Sequence, residues 1–355
     1  MSKKDDIKRL WKECFGDSPE YTDMYFSRVY SDDKALASYS DENRVVSSLQ
    51  LSDYSMLFAD TLVPLCYIGG ATTARKHRGR GHNSRLMIRA LDIALEHGAM
   101  MCALIPAHNW LYAYFERFGF SSVYLADRQC YTSFHPFTTQ AVYHEITDHY
   151  APEVLDAFSR YEMMRPGGVV HSQRDFLNIL DDLSFRNGGT FVAVGRDDVT
   201  VAGMAWAFDR GDFVQVNELL GIDDDARTGA MQSLRAVFPN RQFTVLAPAD
   251  DNHLHRRLHS RAMGRIVNVA LCLGELARQN PQWKCNIKVH DPLLAVNNNV
   301  YRVSNGACGI DNDFSGKLDF DVSIDVFTRI VFSSEHTGSV LGFPSRRTHI
   351  SLMLH

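Results

Sequence analysis

Between the apolar run Leu62–Thr73 and the amphipathic run that follows it lies Arg78-Gly79-Arg80-Gly81, a basic, glycine-rich turn. A strand feeding such a turn into a helix aims free backbone N–H groups at one point, where the helix dipole also favours negative charge. Gly79 and Gly81 allow an anion to approach the backbone closely, and Arg78 and Arg80 add charge-assisted donors. The turn lacks the Gly-Lys-Ser/Thr ending of a triphosphate loop and the glycine spacing of a dinucleotide fingerprint, which disfavours ATP and NAD. A diphosphate carrying a long organic tail fits better. A solvated basic turn or a weak RNA-contacting patch is the competing reading.

Other constellations point to less. His253, His255 and His259 are close in sequence, but Arg256 and Arg257 stand between them and no cysteine is near, so no metal site is expected. The acids Asp311, Asp313, Asp319, Asp321 and Asp325 lack EF-hand spacing, and no Gly-x-Ser-x-Gly elbow supports a serine hydrolase. The seven cysteines are scattered, with no Cys-x-x-Cys pair, and read as reduced, buried thiols. Net charge is −5 and pI about 6.3, so no global basic field exists to hold nucleic acid or an anionic membrane surface. The first residues lack the apolar core of a signal peptide and no apolar run is long enough to span a bilayer, which predicts a cytoplasmic protein.

Positioning the turn requires an ordered set of elements. Ile7, Leu10, Trp11, Cys14 and Phe15 recur at helical spacing up to Gly16, and Ser18-Pro19 opens a second helix. Strands are expected at 36–39, 45–51 and 62–73, then a helix from about 83 to 96, a strand at 101–105 and a helix from about 109 to 117. The pattern then begins again: helices at 152–161 and 172–183, strands at 190–194, 199–208 and 213–220, a helix at 226–238, a strand at 243–247 and a helix around 253–260. This predicts an internal structural repeat. Strands at 266–272, 285–289, 300–303 and 318–324 read as a smaller α+β piece. The fold class expected is α/β (α+β), divided at 1–150, 151–265 and 266–355.

Thr73 to Met87, with Tyr114-Phe115-Glu116-Arg117-Phe118-Gly119-Phe120, resembles the acetyl-CoA signature of GCN5-related N-acetyltransferases (GNAT). Lys76 stands where that signature usually has Gln or Arg. Ala262 to Val269 and Ile287 to Pro292 extend the resemblance to the enhanced intracellular survival (Eis-like) group, which has tandem GNAT units and a sterol-carrier-like C-terminal domain. The resemblance implies that 1–150 is the catalytic unit, that 151–265 is a degenerate copy and that 266–355 is the sterol-carrier-like domain. In the copy, Asp223, Asp224 and Asp225 occupy the turn, where they would repel a pyrophosphate.

By the same resemblance, acetyl-CoA is the co-substrate, no metal takes part, and an amine-bearing small molecule or lysine side chain accepts the acetyl group directly. Ala71, Thr72 and Thr73 would meet the pantetheine and thioester, Arg78, Gly79, Arg80, Gly81, His82, Asn83 and Ser84 the pyrophosphate, and Ala107 and Asn109 the cofactor beside the next helix. The family places a tyrosine acid four residues before the glycine of Arg-Phe-Gly, where this chain has Phe115. Tyr112 takes the role of acid on this reading, with Tyr114 in reserve, and tyrosines that merely pack the helix are the alternative. The His355 carboxylate is the implied base, with His108 as an alternative. A homo-oligomer without nucleic-acid or membrane partners is expected. Two rivals stand beside this: an aminoacyl or peptidyl acyltransferase on the same fold, and a scaffold with a vestigial CoA site.

Overall fold

The computed structural model describes residues 2–185, 189–197, 200–249 and 258–354. The chain forms helices α1 Lys3–Cys14 and α2 Pro19–Arg28, strands β1 Ala35–Tyr39, β2 Val45–Phe58 and β3 Thr61–Thr73, then α3 His82–Glu96, β4 Met101–Leu104, α4 Trp110–Glu116 and β5 Ser121–Tyr131. There follow β6 His144–Glu145, α5 Pro152–Met163, β7 Val169–Val170, α6 Gln173–Phe185, β8 Gly189–Gly195, β9 Val201–Asp209, β10 Phe213–Gly221, α7 Asp224–Val237 and β11 Gln242–Pro248. The last elements are β12 Leu258–Ile266, α8 Val269–Gln279, β13 Cys285–His290, β14 Val300–Ser304, β15 Ala307–Ile310, β16 Phe320–Ser323, α9 Ile324–Val331 and α10 Glu335–Leu341. They divide into two compact units, Met1–Tyr124 with Ser260–Thr348, and Leu125–His259 with His349–Leu354.

In the first unit, Ser2 and Asp5 cap α1 reciprocally, each side chain taking the other's backbone N–H at 3.1 Å. Ser18 caps α2 ahead of Pro19. The sheet runs β1-β2-β3-β4-β12, antiparallel except for the parallel pair β3/β4. Helix α1 packs on β2 and β3. Helices α3 and α4 share one core with the sheet: Leu86, Met87 and Ala90 of α3 and Phe115 of α4 pack with Leu49, Leu51 and Ile68. The 269–348 stretch adds a sheet ordered β15-β14-β13-β16. Arg265, wholly buried, pairs with Asp291 at 2.6 and 2.7 Å and donates to the Phe118 carbonyl, fixing the Arg117-Phe118-Gly119 turn. Gly119 has φ +78°, and a Cβ there would lie 2.9 Å from Ile324.

The second unit repeats the succession: α5, α6, β8, β9, β10, α7 and β11, with β8/β9 and β9/β10 antiparallel and β10/β11 parallel. Its sheet is ordered β5-β11-β10-β9-β8-β6. Even the irregularity recurs. In β3 the register with β2 shifts between Ser48/Thr72 and Gln50/Gly69, and in β10 the register with β9 shifts between Val216 and Glu218. Glu218 is buried beside its bulge, where it accepts from Arg165 at 2.8 Å, bonds His349 at 3.1 Å and takes the Ser351 hydroxyl. Burial alone would raise its pKa, but Arg165 and His349 outweigh that and hold the carboxyl well below its usual range.

Three expectations need correction. Residues 253–257 lie outside the described residues, but Leu258–Ser260, expected as the end of a helix, opens β12; pairing of Met263–Ile266 with β4 overrides its mixed composition. The strand expected at 266–272 is mostly α8, whose N-cap Asn268 accepts the Leu271 N–H at 3.0 Å; Val269, Cys272, Leu273 and Leu276 lie on its buried face. A short apolar run does not separate the two states. Strand β5 was not foreseen, because Ser121, Asp127, Arg128 and Gln129 dilute its alternation.

Candidate functional site

Strand β3 is in register with β4 from Leu65↔Met101 to Tyr67↔Ala103. Its last residues, through Ala71, Thr72 and Thr73, run on past the end of that pairing. The bulge at Gly70 begins this divergence. Gly70 has φ +58°, and a Cβ there would sit 2.7 Å from the Trp11 ring, so both conformation and space call for glycine. Hydroxyls stiffen the free end: Ser47 donates to the Thr72 carbonyl at 2.8 Å and lies 2.9 Å from the Thr73 hydroxyl, while the Ser48 and Thr72 hydroxyls are 2.8 Å apart.

The chain then makes a 3-10 turn over Arg75–His77, held by the Arg75 N–H on Glu13 at 2.9 Å. Arg78 folds back so that its Nε donates to the Thr73 carbonyl at 3.1 Å. Gly79 and Gly81 both take φ +75°, and Gly81 caps α3 with no side-chain bond. The first helical bond here is from the Arg85 N–H to the Gly81 carbonyl. Among the described residues, the backbone N–H groups of Gly79, Arg80, Gly81, His82, Asn83 and Ser84 have no hydrogen-bond acceptor. Among the described residues, its chain neighbours aside, nothing lies within 4 Å of where a Gly79 Cβ would be. Consecutive unspent donors at a helix start, in a left-handed turn carrying exposed Arg78 and Arg80, are an arrangement whose chemistry suits an anion.

Burial lowers the His82 pKa below its ordinary value, and Arg85, His77 and Arg80 lower it further. Its Nδ1 is 2.8 Å from the Ser38 hydroxyl. Asn83 accepts from the Tyr114 hydroxyl at 2.9 Å, and Ser84 lies 3.3 Å from the same oxygen. Burial raises the Tyr114 pKa. Tyr114 thus ties α4 to the start of α3. Tyr112, two residues earlier, instead donates to the Ser260 carbonyl at 3.1 Å. Ala71, Tyr112 and Tyr114 pack against the same core, in which Phe115 is buried. Ala107 and Asn109 are exposed just before α4, and His108 stacks on exposed Trp110 at 6.5 Å.

His355, the expected base, lies outside the described residues, as do His253 and His255. Residues Ile350–Leu354 belong to the second unit, which holds them through Glu218. Among the described residues no cluster of three or more His, Cys, Asp or Glu could hold a metal, and no helix is long and apolar enough to cross a membrane. A cavity of about 470 Å³ lined by Lys34, Asp53, Pro64, Ile93 and His97 lies at the C-terminal end of α3, the opposite end from the turn. Sequence reasoning passed over Ser38, Ser47, Ser48, Glu13 and Ser260. The Ser47-Ser48 doublet inside an apolar strand was the one available signal.

In the second unit the corresponding turn is filled from within. Asp223 caps the Ala226 N–H at 2.7 Å and pairs with Arg196 at 2.8 Å. Asp225 takes the Gln140 and Ala141 N–H groups and the Tyr143 hydroxyl. The Tyr143 ring would lie 2.7 Å from a Cβ on Gly229.

Solved structures share the fold over nearly the whole chain. A conserved protein of unknown function from Enterococcus faecalis, described as a probable N-acyltransferase, is 13% identical and superposes with a TM-score of 0.78 over 99% of this chain and 97% of its own. A GCN5-related N-acetyltransferase from Anabaena variabilis is 14% identical, with a TM-score of 0.76 over 98% and 96%. Eis1 from Mycobacterium abscessus is 15% identical, with a TM-score of 0.71 over 96% and 90%. These likenesses establish a mixed α/β fold of the kind found in GNAT proteins. No curated protein matches the sequence. The part of the chain that carries the glycine turn and its free N–H groups is also the part that matches a family model: residues 1–123 match the acetyltransferase (GNAT) domain.

Proposed function

We propose that the protein is an acetyl-CoA-dependent N-acetyltransferase acting on a primary amine. The observation that carries the reading is the row of acceptor-free N–H groups from Gly79 to Ser84 beside the diverging end of β3. A CoA pyrophosphate suits the first feature, and an extended pantetheine alongside the Ala71–Thr73 backbone suits the second, with Ala107 and Asn109 flanking it. The fit follows from the donor set: N–H groups, Arg78 and Arg80 recognise a polyanion and offer nothing to a metal.

In the reaction the neutral amine nitrogen attacks the thioester carbon, the new C–N bond forms, the C–S bond breaks and the sulfur takes a proton. Tyr112 is the proposed proton donor. Among the described residues its hydroxyl bonds the Ser260 carbonyl, whereas Tyr114 is engaged at the α3 N-terminus. The His355 carboxylate is the proposed acceptor of the amine proton. The central unit, its turn filled by Asp223 and Asp225, is proposed to be a non-binding copy, and the 266–355 stretch a sterol-carrier-like domain.

The test is release of free CoA from acetyl-CoA in the presence of tobramycin, spermidine and a lysine peptide. Amine-dependent release with at least one of them is expected. Binding of acetyl-CoA without amine-dependent release from any would favour the scaffold reading, which rests on buried Phe115 standing where the family has its tyrosine.

A further inference from the structure

Among the described residues of the first unit, the largest apolar side chain left exposed is Trp110, the first residue of α4, at 68%. The other tryptophans are engaged: Trp11 and Trp206 are buried, and Trp283 donates its indole N–H to the Gly342 carbonyl at 3.1 Å. Beside Trp110 the ring of His108, also exposed, lies nearly parallel, at 18° with the centroids 6.5 Å apart. Two flat π surfaces thus face water at one place, an unfavourable arrangement that a flat ligand would relieve.

Helix geometry decides which part of the site these rings adjoin. Trp110 and Tyr114 are four residues apart and share a face of α4. One turn on, Tyr114 donates its hydroxyl to Asn83 at 2.9 Å and lies 3.3 Å from the Ser84 hydroxyl, at the end of the row of acceptor-free N–H groups. Tyr112, two residues from Trp110, stands on a different face and bonds the Ser260 carbonyl. Helical side chains lean toward the N-terminus, which carries the indole over the 107–109 segment and away from Tyr112. Trp110 therefore belongs to the α3 end of the site, about 5.4 Å along α4 from the residue that touches it, and not to the tyrosine proposed as proton donor.

On the proposed function, on which this inference rests, the donor's diphosphate lies on the Gly79–Ser84 N–H groups, and its nucleoside continues from there on the side away from the thioester. We infer that Trp110, with His108 beside it, stacks on the adenine ring of the acyl-CoA. The nucleoside then helps decide which thioester is accepted. The donor class selected is a free acyl-CoA; an acyl group on a phosphopantetheine arm without a nucleoside offers the indole no ring.

The experiment titrates acetyl-CoA and, separately, S-acetyl-pantetheine 4′-diphosphate, which keeps both phosphates and lacks the nucleoside, into the full chain by calorimetry, for wild type, Trp110→Ala and Trp110→Phe. Wild type is expected to prefer acetyl-CoA. Trp110→Ala should weaken acetyl-CoA binding about tenfold or more and leave the affinity for the diphosphate unchanged, while Trp110→Phe, which keeps a ring, should retain most of the acetyl-CoA affinity. Acetyl-CoA should also quench the tryptophan fluorescence of wild type and not that of Trp110→Phe; quenching that survives in Trp110→Phe would place the base elsewhere. An unchanged acetyl-CoA affinity in Trp110→Ala, or equal weakening for both ligands, overturns this inference and leaves the proposed function standing. Failure of wild type to bind acetyl-CoA overturns both.

Discussion

Two hydroxyls on one turn of α4 are tied to different parts of the site, and removing each should cost a different thing. Tyr112→Phe deletes a donor whose bond, 3.1 Å to the Ser260 carbonyl, is peripheral to the α3 turn. If Tyr112 protonates the departing thiolate, turnover should fall by about 10²-fold or more, the usual contribution of a positioned general acid. Acetyl-CoA affinity should stay within a factor of about two, since no pyrophosphate donor has moved. Tyr114→Phe removes the bond to Asn83 at 2.9 Å and the contact to Ser84 at 3.3 Å. A neutral hydrogen bond contributes about 1 kcal/mol, so its loss should loosen the α3 N-terminus and weaken acetyl-CoA binding about fivefold, with a smaller effect on the chemical step. Single-turnover release of CoA thiol, with calorimetric affinity for acetyl-CoA, separates the two. A Tyr112→Phe enzyme that keeps its single-turnover rate refutes the assignment. A Tyr114→Phe enzyme that loses the rate but keeps its affinity transfers the role to Tyr114.

Two predictions concern the scaffold. Gly70→Ala places a methyl 2.7 Å from Trp11 at φ +58°, and left-handed strain together with overpacking should destabilise the protein by about 2–4 kcal/mol; a urea midpoint unchanged from wild type would contradict this. Glu218→Gln breaks a buried carboxylate contact with Arg165 and His349 and should cost about 3 kcal/mol at pH 7. Because the folded-state pKa is depressed, this carboxylate's stabilisation is full above the unfolded value of about 4.3 and is lost as pH falls through the lower folded value. The gap between wild type and variant should therefore narrow below that pH, and a gap that is constant with pH would contradict the argument.

The turn was legible because its chemistry is local: two glycines and two arginines ahead of an amphipathic run specify a helix start with free donors, whatever packs around it. Helices α1 and α2 were legible for the same reason, since the Ile7–Phe15 spacing in one and Ser18-Pro19 in the other act within a few residues, although the Ser2 cap of α1 was not read. What stayed hidden depends on partners distant in sequence. Leu258–Ile266 becomes a strand through Met101–Leu104, and no feature of its own composition announces that pairing. Ser260, the partner of Tyr112, lies 148 residues away, and the Ser48–Thr72 contact depends on a register set by the bulge at Gly70. The filling of the second turn was half legible. Asp223 as a helix cap could be read from sequence, but Gln140, Ala141 and Tyr143 arrive from another part of the chain.

The most direct test is calorimetric titration of acetyl-CoA into the intact protein, alone and as the Arg78→Glu, Arg80→Glu variant. The account predicts one molecule bound per chain, because the second unit's turn is occupied by its own carboxylates, and loss of that binding in the variant. No binding by the wild-type chain, or binding that survives both charge reversals, would contradict it.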